Sequence, residues 1–207
     1  MNEIYPLAVA FAAPAHRPAL NAVLALDTAL GRVVASTSNP MIGQIRLTWW
    51  HDRLVGLDAD VIVAQPTLRA LADIVLPLGI TGTSLSAIVE GWEAVIDPLP
   101  LSDAALAKFA TARGDQLFAI LARICGGSAG PGMGASWALI DFAMRCSDAD
   151  TARRACMLAG VYSREAEYTG PKPLRILARI ARLKTDATFD EIRKPISRFA
   201  ILAATLR

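Results

Sequence analysis

Apolar residues recur at helical spacing along nearly the whole chain, and this periodicity constrains the fold more than any other feature. Breaking and capping residues interrupt it, as in SNP at 38–40, TGTS at 81–84 and GGSAGPG at 126–132. Since β-branched runs are few, we expect an all-α bundle of about nine helices in a single domain, 1–207. The pattern predicts helices at about 18–36, 41–57, 66–77, 84–96, 102–125, 133–146, 150–163, 173–184 and 189–206.

The composition narrows the class of protein. Hydrophobic residues make up 54% of the chain and charged residues 19%, which excludes a disordered protein. A net charge of +2 gives no reason to expect a nucleic-acid partner. The three cysteines have no metal-ligand spacing, and their odd number argues against a disulfide framework, so we expect a reducing, cytoplasmic location.

We expect neither a membrane-spanning helix nor a cleaved signal peptide. Apolar runs stay shorter than the roughly 18 residues that a spanning helix needs. The N-terminal segment lacks a basic leader and carries Glu3. P-loop, GxGxxG and HExxH motifs are missing too, and we predict no metal ligands from local spacing.

The segment MIGQIRLTWWHDRL, at 41–54, places Arg46 and Arg53 on an apolar helical arc. Arginines are seldom buried without a partner, so we predict that both are buried and that at least one pairs with a carboxylate. We assign Trp49 and Trp50 to the core. The alternative is a ligand or anion site built from these four residues.

Lys and Arg residues are concentrated toward the C-terminus. Residues 171–207 hold nine Lys or Arg and three acids. Within LRILARIARLK, Arg175, Arg179 and Arg182 share one side of a predicted helix, and we call these three residues the arginine stripe. A solvated helix face is one interpretation; the other is a surface for anionic lipid or an acidic partner, at the periphery of the inner membrane.

The N-terminal part carries a family resemblance. FAAPAHRPALNAVLALDTALGRVVASTSNPMIGQIRLTWWHDRL resembles the first part of the squalene/phytoene synthase superfamily. The likeness is strongest to a divergent branch with a P-M-x-G-E/Q-I-R-L-x-W-W-R-D-x-L segment, which includes bacterial proteins labelled phytoene synthase and a mitochondrial complex I assembly factor. GWEAVIDPLPLSDAALAKFATARGDQLFAILARICGG and GMGASWALIDFAMRC fit two later segments, so that the resemblance covers about 13–146.

This resemblance implies an isoprenoid-synthase-like helical bundle. The family's catalysts join two allylic diphosphates, with Mg²⁺ held by aspartate-rich motifs on facing helices. Their first motif, D-D-x-x-D, aligns with 31–35, which reads GRVVA and has no carboxylate. Asp27 lies one turn earlier on the same face as Gly31, and Asp141 is the corresponding candidate in the second region; both look like remnants of the motifs.

Three interpretations stay open. The favoured one is a non-catalytic family member without a cofactor, which binds an apolar isoprenoid or lipid, or a protein partner, as an assembly or accessory factor at a membrane surface. The second is an active head-to-head prenyltransferase of isoprenoid biosynthesis, which would require Mg²⁺. The third is an unrelated helical module.

Overall fold

The computed structural model describes residues 4–59, 64–186, 188–194 and 205, and within these ranges the chain forms helices and no strands. The all-α prediction is confirmed. Short 3₁₀ turns and two π-helical segments, Leu71–Val75 and Ala110–Asp115, join or extend the α-helices. The α-helices are α1 Ile4–Ala10, α2 Arg17–Ala35, α3 Pro40–Gly56, α4 Pro66–Ala70, α5 Gly82–Glu93, α6 Asp103–Phe109, α7 Gln116–Ile124, α8 Met133–Ala143, α9 Ala149–Glu165, α10 Lys172–Arg182 and α11 Phe189–Ile192.

Side-chain caps fix the predicted helix starts. Asn39 accepts a hydrogen bond from the Met41 amide at the start of α3. Thr81, Ser102 and Asp148 cap α5, α6 and α9 in the same way. Each cap satisfies a backbone donor that the first helical turn leaves unpaired, so the polar interruptions in the sequence become helix boundaries.

Helix α8 lies at the centre of the fold and packs against α9, α10 and the π-helical segment Ala110–Asp115. Ten of its residues are buried, including Trp137 and Asp141. Gly114 and Gly134 let the π-helical segment and α8 approach backbone to backbone, because a Cβ on either glycine would overlap the carbonyl of the other. This approach sets Arg113 beside the face of α8 that carries Asp141.

The predicted helix at 102–125 is divided. Helices α6 and α7 flank the π-helical segment Ala110–Asp115, whose wider turn carries Arg113. Segments of this kind are frequent at functional sites, since they change the direction of the side chains that follow.

Two predictions at the ends of the chain differ from the structure. Helix α1, Ile4–Ala10, was not predicted, yet it packs on α2 and α10 and buries Tyr5. Of the helix predicted at 189–206, the structure describes 189–194 and Thr205: α11 ends at Ile192, Arg193 and Lys194 follow it in a turn, and the remainder lies outside the described residues.

Among the described residues, Pro14–Ala35 is the one helix long and apolar enough to cross a membrane, with a mean hydropathy of 1.3. Half of the 18-residue apolar stretch within this helix is buried inside the fold, as is usual for a core helix. The buried side of α2 carries Leu26, Asp27 and Leu30 toward the centre of the bundle.

Candidate functional site: a buried arginine between two aspartates

Asp27, on α2, is buried among hydrogen-bond donors. Its Oδ1 accepts from Trp92 Nε1 at 3.0 Å and from Arg113 Nε at 2.7 Å. Its Oδ2 accepts from Tyr5 Oη at 3.0 Å and from Arg113 Nη2 at 2.7 Å. Only 1% of the residue is exposed, so these four bonds replace water around the carboxylate.

Asp141 faces Asp27 from α8 and is equally buried. Its Oδ2 accepts a hydrogen bond from Arg113 Nη2 at 2.7 Å. Its Oδ1 accepts from Arg145, one turn further along the chain, whose side chain is 46% exposed. One carboxylate thus binds two guanidinium groups, one in the interior and one at the surface.

Arg113 joins the two aspartates and has no exposed surface. Its guanidinium carbon lies 4.4 Å from the ring centroid of Trp92 and 4.6 Å from that of Trp137, while Phe109 is at 5.1 Å. Cations are attracted to the faces of aromatic rings, and the attraction grows when water is excluded. We call Asp27, Arg113, Asp141 and Arg145 the Arg113 cluster; it holds two carboxyl and two guanidinium groups.

Electrostatics keep this cluster charged. Burial works against the charge on Arg113, but Asp27 and Asp141 outweigh it and raise the pKa of the guanidinium. Burial likewise opposes ionisation of Asp141, yet Arg113 and Arg145 hold its carboxyl pKa below the ordinary value. Burial, followed by repulsion from the two aspartates, raises the pKa of the Tyr5 phenol, so Tyr5 remains a donor to Asp27.

The positions aligned with the family's first aspartate motif contribute no carboxylate. Gly31 lies against the Trp92 ring, whose Cη2 would be 2.8 Å from a Cβ at that position. Arg32 lines a groove beside α2 and makes no hydrogen bond or ion pair with the Arg113 cluster. In the described residues, no group of three or more His, Cys, Asp or Glu side chains is placed to hold a metal ion.

The prediction that Arg46 and Arg53 are buried is wrong, because both are exposed on α3. Arg46 Nη1 donates to Thr37 Oγ1 at 3.3 Å, and Arg53 lies over the Trp49 ring at 5.7 Å from its centroid. Neither pairs with a carboxylate in the described part of the chain. The predicted core position is correct for Trp50, which is 8% exposed, and wrong for Trp49, which is 41% exposed.

Helix α3 carries two apolar faces, which explains why the predicted burial of Arg46, Arg53 and Trp49 is wrong. The face that packs into the bundle is formed by Gly43, Leu47, Trp50 and Leu54. Ile42, Ile45 and Trp49 form the other face, which is exposed. Periodicity alone shows that an apolar stripe exists, but it cannot decide which of two stripes is covered.

The arginine stripe lies at the margin of α10. Arg175 and Arg179 are half-buried, and Arg182 is exposed with its guanidinium carbon 5.5 Å from the Tyr168 ring centroid. The apolar side of α10 packs on α8 and α1, which makes it a core helix on that side. Whether the stripe meets a membrane stays a prediction.

Arg113 was not predicted as a site residue, although one signal in the sequence pointed to it. Arg113 lies four residues after Phe109 and four before Leu117, both buried, so it falls on the apolar side of its predicted helix. A lone arginine at such a position requires a buried acid partner. Asp27 and Asp141 are the two partners, and they come from distant parts of the chain.

An all-α bundle whose facing helices carry inward-pointing aspartates has the architecture of isoprenoid-synthase-like proteins. The family model for squalene/phytoene synthase matches residues 3–162. The chain therefore belongs to the squalene/phytoene synthase family, and the predicted resemblance is confirmed at that level. No curated protein matched the chain, and no solved structure matched it.

Proposed function

We propose that this protein is a non-catalytic member of the squalene/phytoene synthase family, from the divergent branch that includes a mitochondrial complex I assembly factor. It acts as a lipid-binding or assembly factor at a membrane surface and does not condense prenyl diphosphates. The observation that carries the proposal is the Arg113 guanidinium, which donates hydrogen bonds to both Asp27 and Asp141. The cation between the two facing carboxylates belongs to the chain itself.

The carboxylates present do not fit a magnesium–diphosphate site. Mg²⁺ requires near-octahedral oxygen ligands at about 2.0–2.1 Å and keeps several waters. All four oxygens of Asp27 and Asp141 already accept hydrogen bonds. Arg113 also adds positive charge at the place where a metal would have to approach them, which opposes metal binding.

The space between the two aspartates is filled as well. Trp92, Phe109 and Trp137 surround the guanidinium, and Trp92 extends to the backbone of Gly31. A diphosphate could enter only if these rings and Arg113 moved apart. Because removing the partner of a buried charge typically costs about 3–5 kcal/mol, the packed arrangement opposes such an opening.

Because the space between the two aspartates is filled, a ligand or a partner would bind at the outer surfaces of the bundle. The groove beside α2 and α3 offers apolar side chains with two arginines, and the arginine stripe offers positive charge. The positive charge favours an anionic membrane surface, and the proposed place of binding is the periphery of the inner membrane on its cytoplasmic side. No cofactor is required for such a role.

The test is a turnover assay of purified protein with Mg²⁺ and allylic diphosphates, followed by mass spectrometry of extracted products. We expect no product of 30 or 40 carbons. The alternative, an active head-to-head prenyltransferase, has family membership in its favour. Magnesium-dependent product that disappears in Asp141→Asn, while Asp150→Asn on the exposed start of α9 retains it, would establish the alternative.

A second measurement separates lipid binding from protein assembly. Lipids are extracted from the natively purified protein and identified by mass spectrometry. A stoichiometric apolar lipid supports lipid binding, whereas lipid-free protein that co-purifies with a defined partner favours the assembly role.

A further inference from the structure

A groove of about 920 Å³ lies beside α2 and shares one residue with the surroundings of the Arg113 cluster, Tyr5, which lines the groove and donates to Asp27. Helices α1, α2, α3 and the region of α4 form its walls. Its size falls within the range of about 300–1,000 Å³ typical of small-molecule sites. The apolar part of its lining includes Leu24, Ala25, Ala29, Val33, Ile45 and Trp49.

Two guanidinium groups, those of Arg32 and Arg46, also line this groove. Arg32 makes no side-chain hydrogen bond or ion pair with the residues that the structure describes. Arg46 has a single neutral partner, the Thr37 hydroxyl at 3.3 Å. The lining includes no Asp or Glu, so nothing within the groove offsets these two positive charges.

Both arginines belong to the end of the groove near the connection between α2 and α3. Arg32 is one helical turn from Ser36, which also lines the groove, and Arg46 bonds to Thr37 in the connection itself. Asn21, another lining residue, stands eleven positions before Arg32 on the same helix, a distance of about 16 Å along the axis. The groove therefore has a cationic end and an extended apolar length.

We propose that this groove binds one molecule of a single-chain amphiphile with a phosphate head. The head lies between Arg32 and Arg46, since guanidinium groups donate paired hydrogen bonds to phosphate oxygens. The tail runs along α2 over Ala25 and Ala29 and against the exposed face of Trp49. The inference rests on the proposed function and specifies the ligand class of its lipid-binding role.

This chemistry accounts for features that a neutral or purely apolar ligand leaves unexplained. An apolar ligand would form no ion pair with the two arginines. A free phosphate ion would make no contact with the apolar length of the groove. Trp49 fits the same ligand, because indole rings favour sites with one apolar side and one wet side. Its 41% exposure is then the surface that the tail covers.

The binding experiment uses n-dodecyl phosphate below its micelle concentration, titrated into the full chain and followed by tryptophan fluorescence and calorimetry. Dodecyl maltoside, with the same tail and a neutral head, and inorganic phosphate, without a tail, are the comparison ligands. We expect saturable binding of one dodecyl phosphate with a blue shift from Trp49, and at least roughly tenfold weaker binding of the other two.

Two pairs of variants locate the site. Arg32→Gln combined with Arg46→Gln should weaken dodecyl phosphate binding by at least roughly tenfold, because charge-assisted hydrogen bonds are lost. Arg69→Gln, on the exposed side of α4 and outside the groove lining, is the matched control. Ala25→Trp should block the groove, whereas Ala119→Trp, exposed on α7, should not.

The outcomes are separable from those of the turnover assay. Lack of saturable binding by the native chain overturns the groove proposal, as does a double arginine variant that binds as tightly as native protein. Equal binding of dodecyl maltoside would likewise remove the role of the arginines. None of these results bears on whether the protein condenses prenyl diphosphates, which the turnover assay alone decides.

Discussion

Replacing Arg113 by methionine should destabilise the fold more than any other single change in the Arg113 cluster. The native guanidinium makes three hydrogen bonds of 2.7 Å to Asp27 and Asp141 with no exposed surface. Methionine has similar length but no charge, so Asp27 would lose its cation entirely, while Asp141 would keep Arg145. Removing one partner of a buried ion pair costs about 3–5 kcal/mol of unfolding free energy.

That cost is a large share of total stability, since single domains unfold with about 5–15 kcal/mol. For a chain of this size, each kcal/mol lowers the melting temperature by about 2–4 °C, so Arg113→Met should lower it by about 6–20 °C. The assay is circular dichroism with heat and, separately, with urea. Arg145→Met is the control, and it should cost less than half as much, because the Arg145 side chain is 46% exposed and water can take the place of its guanidinium.

A compensating variant tests the electrostatic cause. Asp27→Asn and Asp141→Asn, added to Arg113→Met, remove the stranded carboxylates and should recover part of the lost stability. The reasoning is refuted if Arg113→Met melts within about 2 °C of native protein, or if Arg145→Met costs as much. Failure of the compensating variant to recover any stability would point to packing rather than charge.

Four further predictions concern pH, packing and charge. Because the pKa of Asp141 is lowered in the fold, its contribution to stability is present above its unfolded value near 3.9 and is lost as pH falls further, which urea melts between about pH 5 and pH 2 should show. The raised pKa of Tyr5 predicts stability that is full below pH 10 and falls as pH rises beyond it. Gly31→Ala should cost about 1–3 kcal/mol in the same melts, because its Cβ would press on Trp92 at 2.8 Å, whereas Gly127→Ala, whose nearest contact would be 3.5 Å, has no such overlap. If the arginine stripe meets membranes, native protein should sediment with anionic vesicles at low salt, each arginine adding about 1 kcal/mol, and the Gln variant of all three should not; equal sedimentation of both proteins would leave the stripe as a solvated face.

Helix positions could be predicted because they depend on local information. The caps Asn39, Thr81, Ser102 and Asp148 bond to amides two or three residues away, so the sequence carries both partners of each contact. Helix α1 escaped prediction since its short apolar run acquires its partners only from α2 and α10.

The candidate site depends on distant partners, and there the sequence was less informative. Asp27 and Asp141 were identified through the family resemblance, and both do lie at the centre of the bundle. Arg113 is separated from Asp27 by 86 residues, so no local pattern connects them. Buried arginines were predicted on α3, whereas the buried arginine lies in the π-helical segment Ala110–Asp115. Its spacing from buried neighbours indicates burial, but it does not indicate which acids pair with it.

The position of Arg113 has a consequence for the ionic conditions under which the fold is stable. A protein that holds its carboxylates together with a bound metal gains stability in proportion to the logarithm of the free metal concentration, and a chelator removes that gain. Arg113 is attached to the backbone, so its local concentration beside Asp27 and Asp141 is set by folding and cannot be diluted. The interior of this bundle is therefore assembled with its counterion already in place, and its melting temperature should be the same in millimolar magnesium as in EDTA.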